Sequence, residues 1–271
     1  MAETVRVAIA AATRTFDSPT ARLDAELLMA HALRVTRETM LLGRLDDPAP
    51  AAFAGLAARR AAHEPVAYII GFRDFWTITL RVAPGVLIPR ADSETLIEAA
   101  VAHFGERSPR TVLDLGTGSG ALLLAALDQW PDARGIGVDR SPDALRVARA
   151  NAERLGMGER AMIVSGGWEG RDGPHDLILC NPPYIETGAA LPREVVDHEP
   201  AGALFAGADG LDDYRAIAPL LGAQIAPGGV ACVEIGSDQG ESAAALFRAR
   251  GLTVAVRPDL AGRDRCLVVT P

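Results

Sequence analysis

The chain has 271 residues, 49% of them hydrophobic, which is enough apolar content for a core and excludes a disordered polypeptide. That length suits one large domain or two smaller ones. A formal net charge of −8 argues against a broad phosphate-gripping face, while 27 Lys+Arg leave room for a local basic patch.

No apolar run approaches the roughly 20 residues of a membrane span, and the N-terminus lacks a basic-then-apolar signal. Cys180, Cys232 and Cys266 are scattered through apolar, strand-like runs without CxxC or metal-ligand spacing. They read as reduced core thiols, which suits a cytoplasmic protein with no membrane attachment.

In chain order, the stretch from about residue 4 to 64 is rich in Ala, Leu, Arg and Glu and reads as a bundle of short helices. Leu23, Leu27, Leu28 and Ala30 recur at helical spacing. Ser18-Pro19 has the form of an N-cap followed by proline at the first helical position. A further helix is expected from about Pro50 to Ala62, ended by Glu64-Pro65. His31 and His63 are each solitary on amphipathic helices, so no metal is expected.

Residues 71–82 follow, their tail alternating apolar and polar as a half-buried strand does. Pro84-Gly85 carries a turn signal, and Val86-Leu87-Ile88 reads as the returning strand. The expected organisation is a helical domain over 1–71, a β-hairpin linker over 72–90 and an α/β domain over 91–271. Asp92 or Ser93 is a natural N-cap for a helix from about Thr95 to Val101. Arg90 is either a solvated linker charge or a residue facing the cleft between modules.

From Thr111, strands alternate with helices, the pattern of a mainly parallel sheet. Strands are expected over 111–115, 135–138 (ending in Asp139), 161–165, 176–180 and 229–235. Helices are expected over 121–130, 141–155, 212–221 and 239–250. Residues 253–256 and 266–269 read as a closing antiparallel pair.

Asp114 precedes the loop Gly116-Thr117-Gly118-Ser119-Gly120. Glycines after a strand let backbone approach a ligand, and the next helix offers free N–H groups. The spacing is Gly-x-Gly-x-Gly, not the Gly-x-Gly-x-x-Gly of dinucleotide enzymes. A carboxylate there repels a pyrophosphate but suits an ammonium group. Asp139, about 20 residues past the loop, stands where an acid binds ribose hydroxyls. Together these point to a nucleoside carrying an amine and no phosphate, as in S-adenosylmethionine. A ligand-free tight turn and a nicotinamide site are the alternatives. Trp168, just past the third strand, is placed to stack on adenine or to pack in the core.

The strand over 176–180 breaks at Asn181-Pro182-Pro183-Tyr184. Two prolines cannot continue a ladder, so the turn is rigid. It sits at the carboxyl end of a strand, where open α/β sheets bind ligands. Asn181 offers one acceptor and two donors on a planar group, suited to another planar amide or to an exocyclic amine. Alone, the dipeptide Asn-Pro would mark only an ordinary turn. Cys180 is adjacent but expected to be buried, which disfavours a nucleophilic role.

Asp114 to Gly120, Asp139 and Asn181 to Tyr184, in this order, resemble a class I S-adenosylmethionine-dependent methyltransferase of the Asn-Pro-Pro-Tyr type. Such enzymes methylate adenine in DNA or glutamine in proteins. The runs 64–71, 75–76, 87–94, 199–205 and 209–215 further resemble the HemK/PrmC family, the peptide chain release factor glutamine methyltransferases. The resemblance spans nearly the whole chain. Ala91, Ser93 and His198 are small departures from the usual Pro, Thr and aromatic residue.

The resemblance implies a Rossmann-like α/β fold, with a mainly parallel seven-stranded sheet whose last strand is antiparallel. A small N-terminal helical bundle, joined by a β-hairpin, would dock the protein substrate. The donor would be S-adenosylmethionine, held by Asp114, Gly116, Thr117, Gly118, Ser119, Gly120, Asp139, Trp168 and Asn181. The acceptor would be the glutamine of the Gly-Gly-Gln motif in release factors, gripped by Arg90, Asn181, Pro182, Pro183 and Tyr184. Asn181 and the Pro182 carbonyl would accept the amide N–H bonds, and Tyr184 would pack against the amide. The enzyme is expected to act as a monomer without nucleic acid. A ribosomal-protein glutamine methyltransferase, an adenine methyltransferase and a non-catalytic donor-binding protein are the competing readings.

Overall fold

A run of short helices opens the chain: α1 (Val5–Thr13), α2 (Ala21–Leu33), α3 (Arg37–Gly43), α4 (Ala52–Ala61) and α5 (Val66–Ile70). Thr4 and Thr36 cap α1 and α3, their side chains accepting from Val7 N and Thr39 N. The apolar stripes of these helices meet in a core around Val5, Leu28, Met29 and Met40, all fully buried. In this computed structural model, residues 3–171 and 173–271 are described.

Helix α2 starts later than Ser18-Pro19 suggested. Its first residue is Ala21, and the Thr20 side chain makes no capping bond. The Ser18 and Thr20 hydroxyls instead donate to Asp24, each at 2.9 Å. Asp24 is a buried carboxylate, and these hydroxyls supply donors that its oxygens need. Arg60, 4% exposed, completes its shell at 2.8 Å and also pairs with Glu194 at 2.8 Å.

The chain then forms a hairpin, β1 (Phe72–Phe75) and β2 (Ile78–Arg81). The hairpin turn falls at Trp76-Thr77; Pro84-Gly85 does form a turn, but outside the hairpin, and Val86-Leu87-Ile88 is not a strand. Trp76 has φ 54°, a conformation costly for an aromatic residue. Its neighbours hold it there: Trp76 N donates to Glu94 at 2.9 Å, the indole to Gln129 at 3.3 Å, and Thr77 to Asp128 at 2.5 Å.

Next come α6 (Glu94–Phe104), β3 (Thr111–Leu115), α7 (Ala121–Gln129), β4 (Arg134–Asp139), α8 (Pro142–Arg154), β5 (Ala161–Ser165) and β6 (His175–Cys180). The remaining elements are α9 (Arg193–Val196), α10 (Asp212–Gln224), β7 (Ile225–Glu234), α11 (Gly240–Arg248), β8 (Thr253–Pro258) and β9 (Asp264–Thr270). The seven-stranded sheet runs β5-β4-β3-β6-β7-β9-β8, parallel except for the pairings of β9 with β7 and β8. Strand residues alternate between two cores. Val112, Leu177, Leu179 and Cys232 face α6, α7 and α8, whereas Leu113, Ile178, Cys180 and Val233 face α10 and α11.

The described residues form two compact units: those up to Phe72 with Leu191–Glu199, and Arg73–Ala190 with Pro200–Pro271. No described helix is long and apolar enough to cross a membrane.

Removing one partner of a buried pair leaves an uncompensated charge, at a cost of roughly 3–5 kcal/mol. Arg60→Met is therefore expected to destabilise the helical unit by about that amount in denaturant unfolding. The double variant Arg60→Met, Asp24→Leu should recover part of the loss; a double variant as unstable as the single one would contradict this.

Candidate active site

Parallel register gathers the sequence motifs at one edge of the sheet. Leu115 pairs with Val138 and with Cys180, and Asp139 pairs with Ser165. The residues after each strand end, Gly116, Asp139, Gly166 and Asn181, therefore emerge side by side.

Gly116, Gly118 and Gly120 have φ of 72°, 56° and 84°, so the loop needs glycine at all three positions. Gly116 N and Thr117 N both donate to Val138 O at 2.9 Å. Gly118 N donates to Asp139 Oδ2 at 2.9 Å, and Ser141 N to Asp139 Oδ1 at 2.8 Å. The loop and the Asp139 carboxylate thus form one rigid rim. A Cβ on Gly118 would meet only Gly116 O, at 3.9 Å, so that face of the loop is open for a ligand.

Asp114 lies beneath the loop. Its Oδ2 accepts from Thr117 Oγ1 at 2.6 Å and Leu123 N at 3.2 Å, and its Oδ1 has no partner. Burial pushes this carboxyl up to about 7 from its ordinary 3.8, with the Thr117 and Leu123 bonds opposing the rise.

Trp168 packs against the loop: a Cβ on Gly116 would lie 3.3 Å from two of its ring carbons. Its indole N–H donates to Asp213 at 3.0 Å, and its carbonyl accepts from Gln224 at 2.9 Å. Asn181 Nδ2 donates to Ser93 Oγ at 3.1 Å. That bond takes one of the two Nδ2 donors and turns the nitrogen edge of the amide toward Ser93. The Tyr184 hydroxyl donates to Glu234 Oε1 at 3.2 Å. Burial, reinforced by Glu234, holds the Tyr184 phenol well above its usual range. Cys180 is fully buried and its thiol is pushed far up by burial, so it carries no thiolate chemistry.

These elements enclose a cavity of about 560 Å³. Its wall takes Arg90, Gly116, Thr117, Gly118, Ser119, Asp139, Trp168, Asn181 and Pro183 from the sequence expectation. Asp114, Gly120, Pro182 and Tyr184 are not among the lining residues. Arg140, on the rim, donates to Gly202 O at 3.3 Å and so tethers the segment carrying Pro200 and Ala203, which also line the cavity.

Two family descriptions match the chain: PrmC N-terminal domain over residues 8–71, and Methyltransferase small domain over 90–199. The chain is 44% identical over 254 residues to the release factor glutamine methyltransferase of Rhodospirillum rubrum, covering 91% of this chain and 78% of that protein. The chain belongs to the release factor glutamine methyltransferase family. The Cereibacter sphaeroides member is 46% identical over 251 residues, covering 89% and 88%. A solved methyltransferase from Pyrococcus furiosus shares the fold at TM-score 0.52 and 16% identity, covering 70% of this chain and 86% of that one.

Within this family member, four contributors escaped the motif reading: Ser93, Asp213, Glu234 and Arg140. Of the two expected caps, Asp92 or Ser93, Ser93 holds the N-cap position of α6 after a 3₁₀ turn, Ala91–Ser93, but its side chain makes no capping bond. Its hydroxyl serves Asn181 instead. The signal for Glu234 was a lone charge in the apolar run Val230-Ala231-Cys232-Val233-Glu234-Ile235.

Because the folded Asp114 holds its proton more tightly, its contribution to stability is full below 3.8 and is lost as pH rises through about 7. Over that interval the loss approaches roughly 4 kcal/mol. Asp114→Asn should therefore be more stable than the wild type above pH 7, with the gap closing on acidification. Denaturant melts across that range test this, and a pH-independent gap would contradict it.

Proposed function

We propose that this chain transfers the methyl group of S-adenosylmethionine to the side-chain amide nitrogen of the glutamine in the Gly-Gly-Gln motif of peptide chain release factors. The observation that carries the reading is the Asn181 amide. It stands at the cavity wall beside the glycine loop, with its nitrogen edge turned toward Ser93 and its carbonyl edge left to accept.

The chain's residues suit the donor. The open face of Gly118 admits close approach, and the unpartnered Asp114 Oδ1 marks unmet acceptor capacity beside the loop. Asp139 keeps its carboxylate fixed by two backbone donors while lining the cavity, ready for ribose hydroxyls. Trp168, steered by Asp213, walls the adenine side. When bound, the sulfonium supplies an electrophilic methyl group.

An amide nitrogen is a weak nucleophile because its lone pair is delocalised. Asn181 Oδ1 and the Pro182 carbonyl accept the two N–H bonds, which keeps electron density on nitrogen and fixes its line of attack. Orientation of this kind can lower a barrier by several kcal/mol. Pro182 and Pro183 make the turn stiff enough to hold that geometry. Methylation would leave the donor as a neutral thioether and release one amide proton to solvent, so the reading needs no His, Cys or Lys, and none lines the cavity among the described residues.

Docking of the protein substrate falls to the helical unit, which has its own core and exposes Leu42 at 88%. Arg90, on the cavity wall, assists at the substrate side. The enzyme acts as a monomer in the cytoplasm, without nucleic acid.

Incubation with labelled donor and purified release factor, followed by peptide mapping, should place one methyl on the Gly-Gly-Gln glutamine; label elsewhere, or on a ribosomal protein only, would overturn the substrate. Asn181→Ala should lower the single-turnover rate by about two orders of magnitude, with donor affinity changed less than about threefold. An unchanged rate would remove Asn181 from the chemistry.

A further inference from the structure

A side-chain amide can present either edge to a cavity, and the chemistry above works with only one. The Ser93 contact selects that edge only if the Ser93 hydroxyl accepts from Asn181 and sends its own proton elsewhere. The neighbouring acceptor is Glu234.

Glu234 ends β7, which is parallel to β6 with Cys180 paired to Val233, so Glu234 stands beside Asn181. Both lie on the α6-facing side of the sheet, where Ser93 precedes α6. Glu234 is fully buried. Its Oε1 accepts from the Tyr184 hydroxyl at 3.2 Å, while Oε2 has no hydrogen-bond partner and is the acceptor left open to the neighbouring Ser93 hydroxyl. A buried carboxyl with half its acceptor capacity unmet costs stability and calls for a purpose.

Burial pushes this carboxyl up to about 7; the Ser93 hydroxyl is the neighbour that most offsets the rise, followed by Arg265 and Tyr184, while Asp92 adds to it. Arg265 shares its charge with Asp92 at 3.3 Å and Asp259 at 3.4 Å. Cys180, Cys266 and Tyr214 also surround it, and burial keeps all three protonated.

We propose that Glu234 is a positioning residue that acts through Ser93 to fix which edge of the Asn181 amide faces the cavity, and through Tyr184 to hold the turn that carries it. The inference rests on the function assigned above. As a carboxylate, Glu234 only accepts, so Ser93 donates to it and Ser93 oxygen is left for Asn181 Nδ2. With a donor at that position, from protonation or from glutamine, the relay can reverse. Ser93 then donates to Asn181 Oδ1, the amide turns over, and its N–H groups confront those of the acceptor.

The chain contains two asparagines, Asn151 and Asn181, so isotopic labelling of asparagine yields two side-chain amide signals. Asn151 is an internal control, buried and bonded to Arg81 and Ser119 backbone. In the wild type, the Asn181 amide signal should titrate with a midpoint near 7 while that of Asn151 stays fixed. In Glu234→Gln the Asn181 signal should not titrate. A static wild-type signal, or an unchanged titration in Glu234→Gln, would overturn the proposal whether or not the substrate assignment holds. In turnover, Glu234→Gln and Ser93→Ala should each lower kcat by about tenfold or more with the donor KM within about twofold, and Ser93→Thr should recover most of the loss. The wild-type kcat should fall on acidification through pH 7, and Glu234→Gln should lack that limb. Wild-type kinetics in all three variants would refute it.

Discussion

The proposed chemistry depends on one constraint: a planar amide held through its nitrogen edge at the carboxyl end of a central strand. β6 lies in the middle of the sheet, between β3 and β7. Its end therefore sits between the glycine loop after β3 on one side and Glu234 of β7 on the other. The two prolines prevent the strand from running on, and Ser93 Oγ accepts from the amide nitrogen. In the proposed reading, the donor is met mainly by residues after β3, β4 and β5, and the acceptor by residues after β6, at the end of β7 and in the turn before α6.

Two buried carboxyls, Asp114 and Glu234, flank this arrangement, and burial pushes both up to about 7. Each leaves one oxygen without a partner. Such groups destabilise the folded chain at neutral pH, yet each stands directly behind a strand end that the site uses. The stability they cost is consistent with active sites concentrating perturbed acids. Elsewhere the fold compensates with dense apolar packing on both faces of the sheet.

The motifs were legible because their chemistry is local. A glycine loop after a strand, an acid at the end of the next strand and a proline-locked Asn need no distant partner to be recognised, and family resemblance extended that reading to the acceptor. The strand and helix alternation from Thr111 onward was legible for the same reason. The failures were non-local. The hairpin turns at Trp76-Thr77 because Glu94, Gln129 and Asp128 hold an unfavourable backbone in place, and residues 18 to 53 positions away cannot be read from turn propensity. Ser18 has the local pattern of a cap, but its hydroxyl goes to the buried Asp24, whose partner Arg60 lies 36 residues further on. Glu234 comes to Asn181 through sheet register and Ser93 through the turn before α6, so neither role follows from its local sequence.

The central claim is that the group held by Asn181 is an amide nitrogen. A release factor in which the Gly-Gly-Gln glutamine is replaced by glutamate keeps the length and shape of the side chain but removes the nitrogen. Single-turnover methyl incorporation into the two proteins, measured side by side, separates amide recognition from mere proximity to the donor. Full incorporation into the glutamine protein and none into the glutamate protein is the predicted result. Comparable incorporation into both would contradict the account.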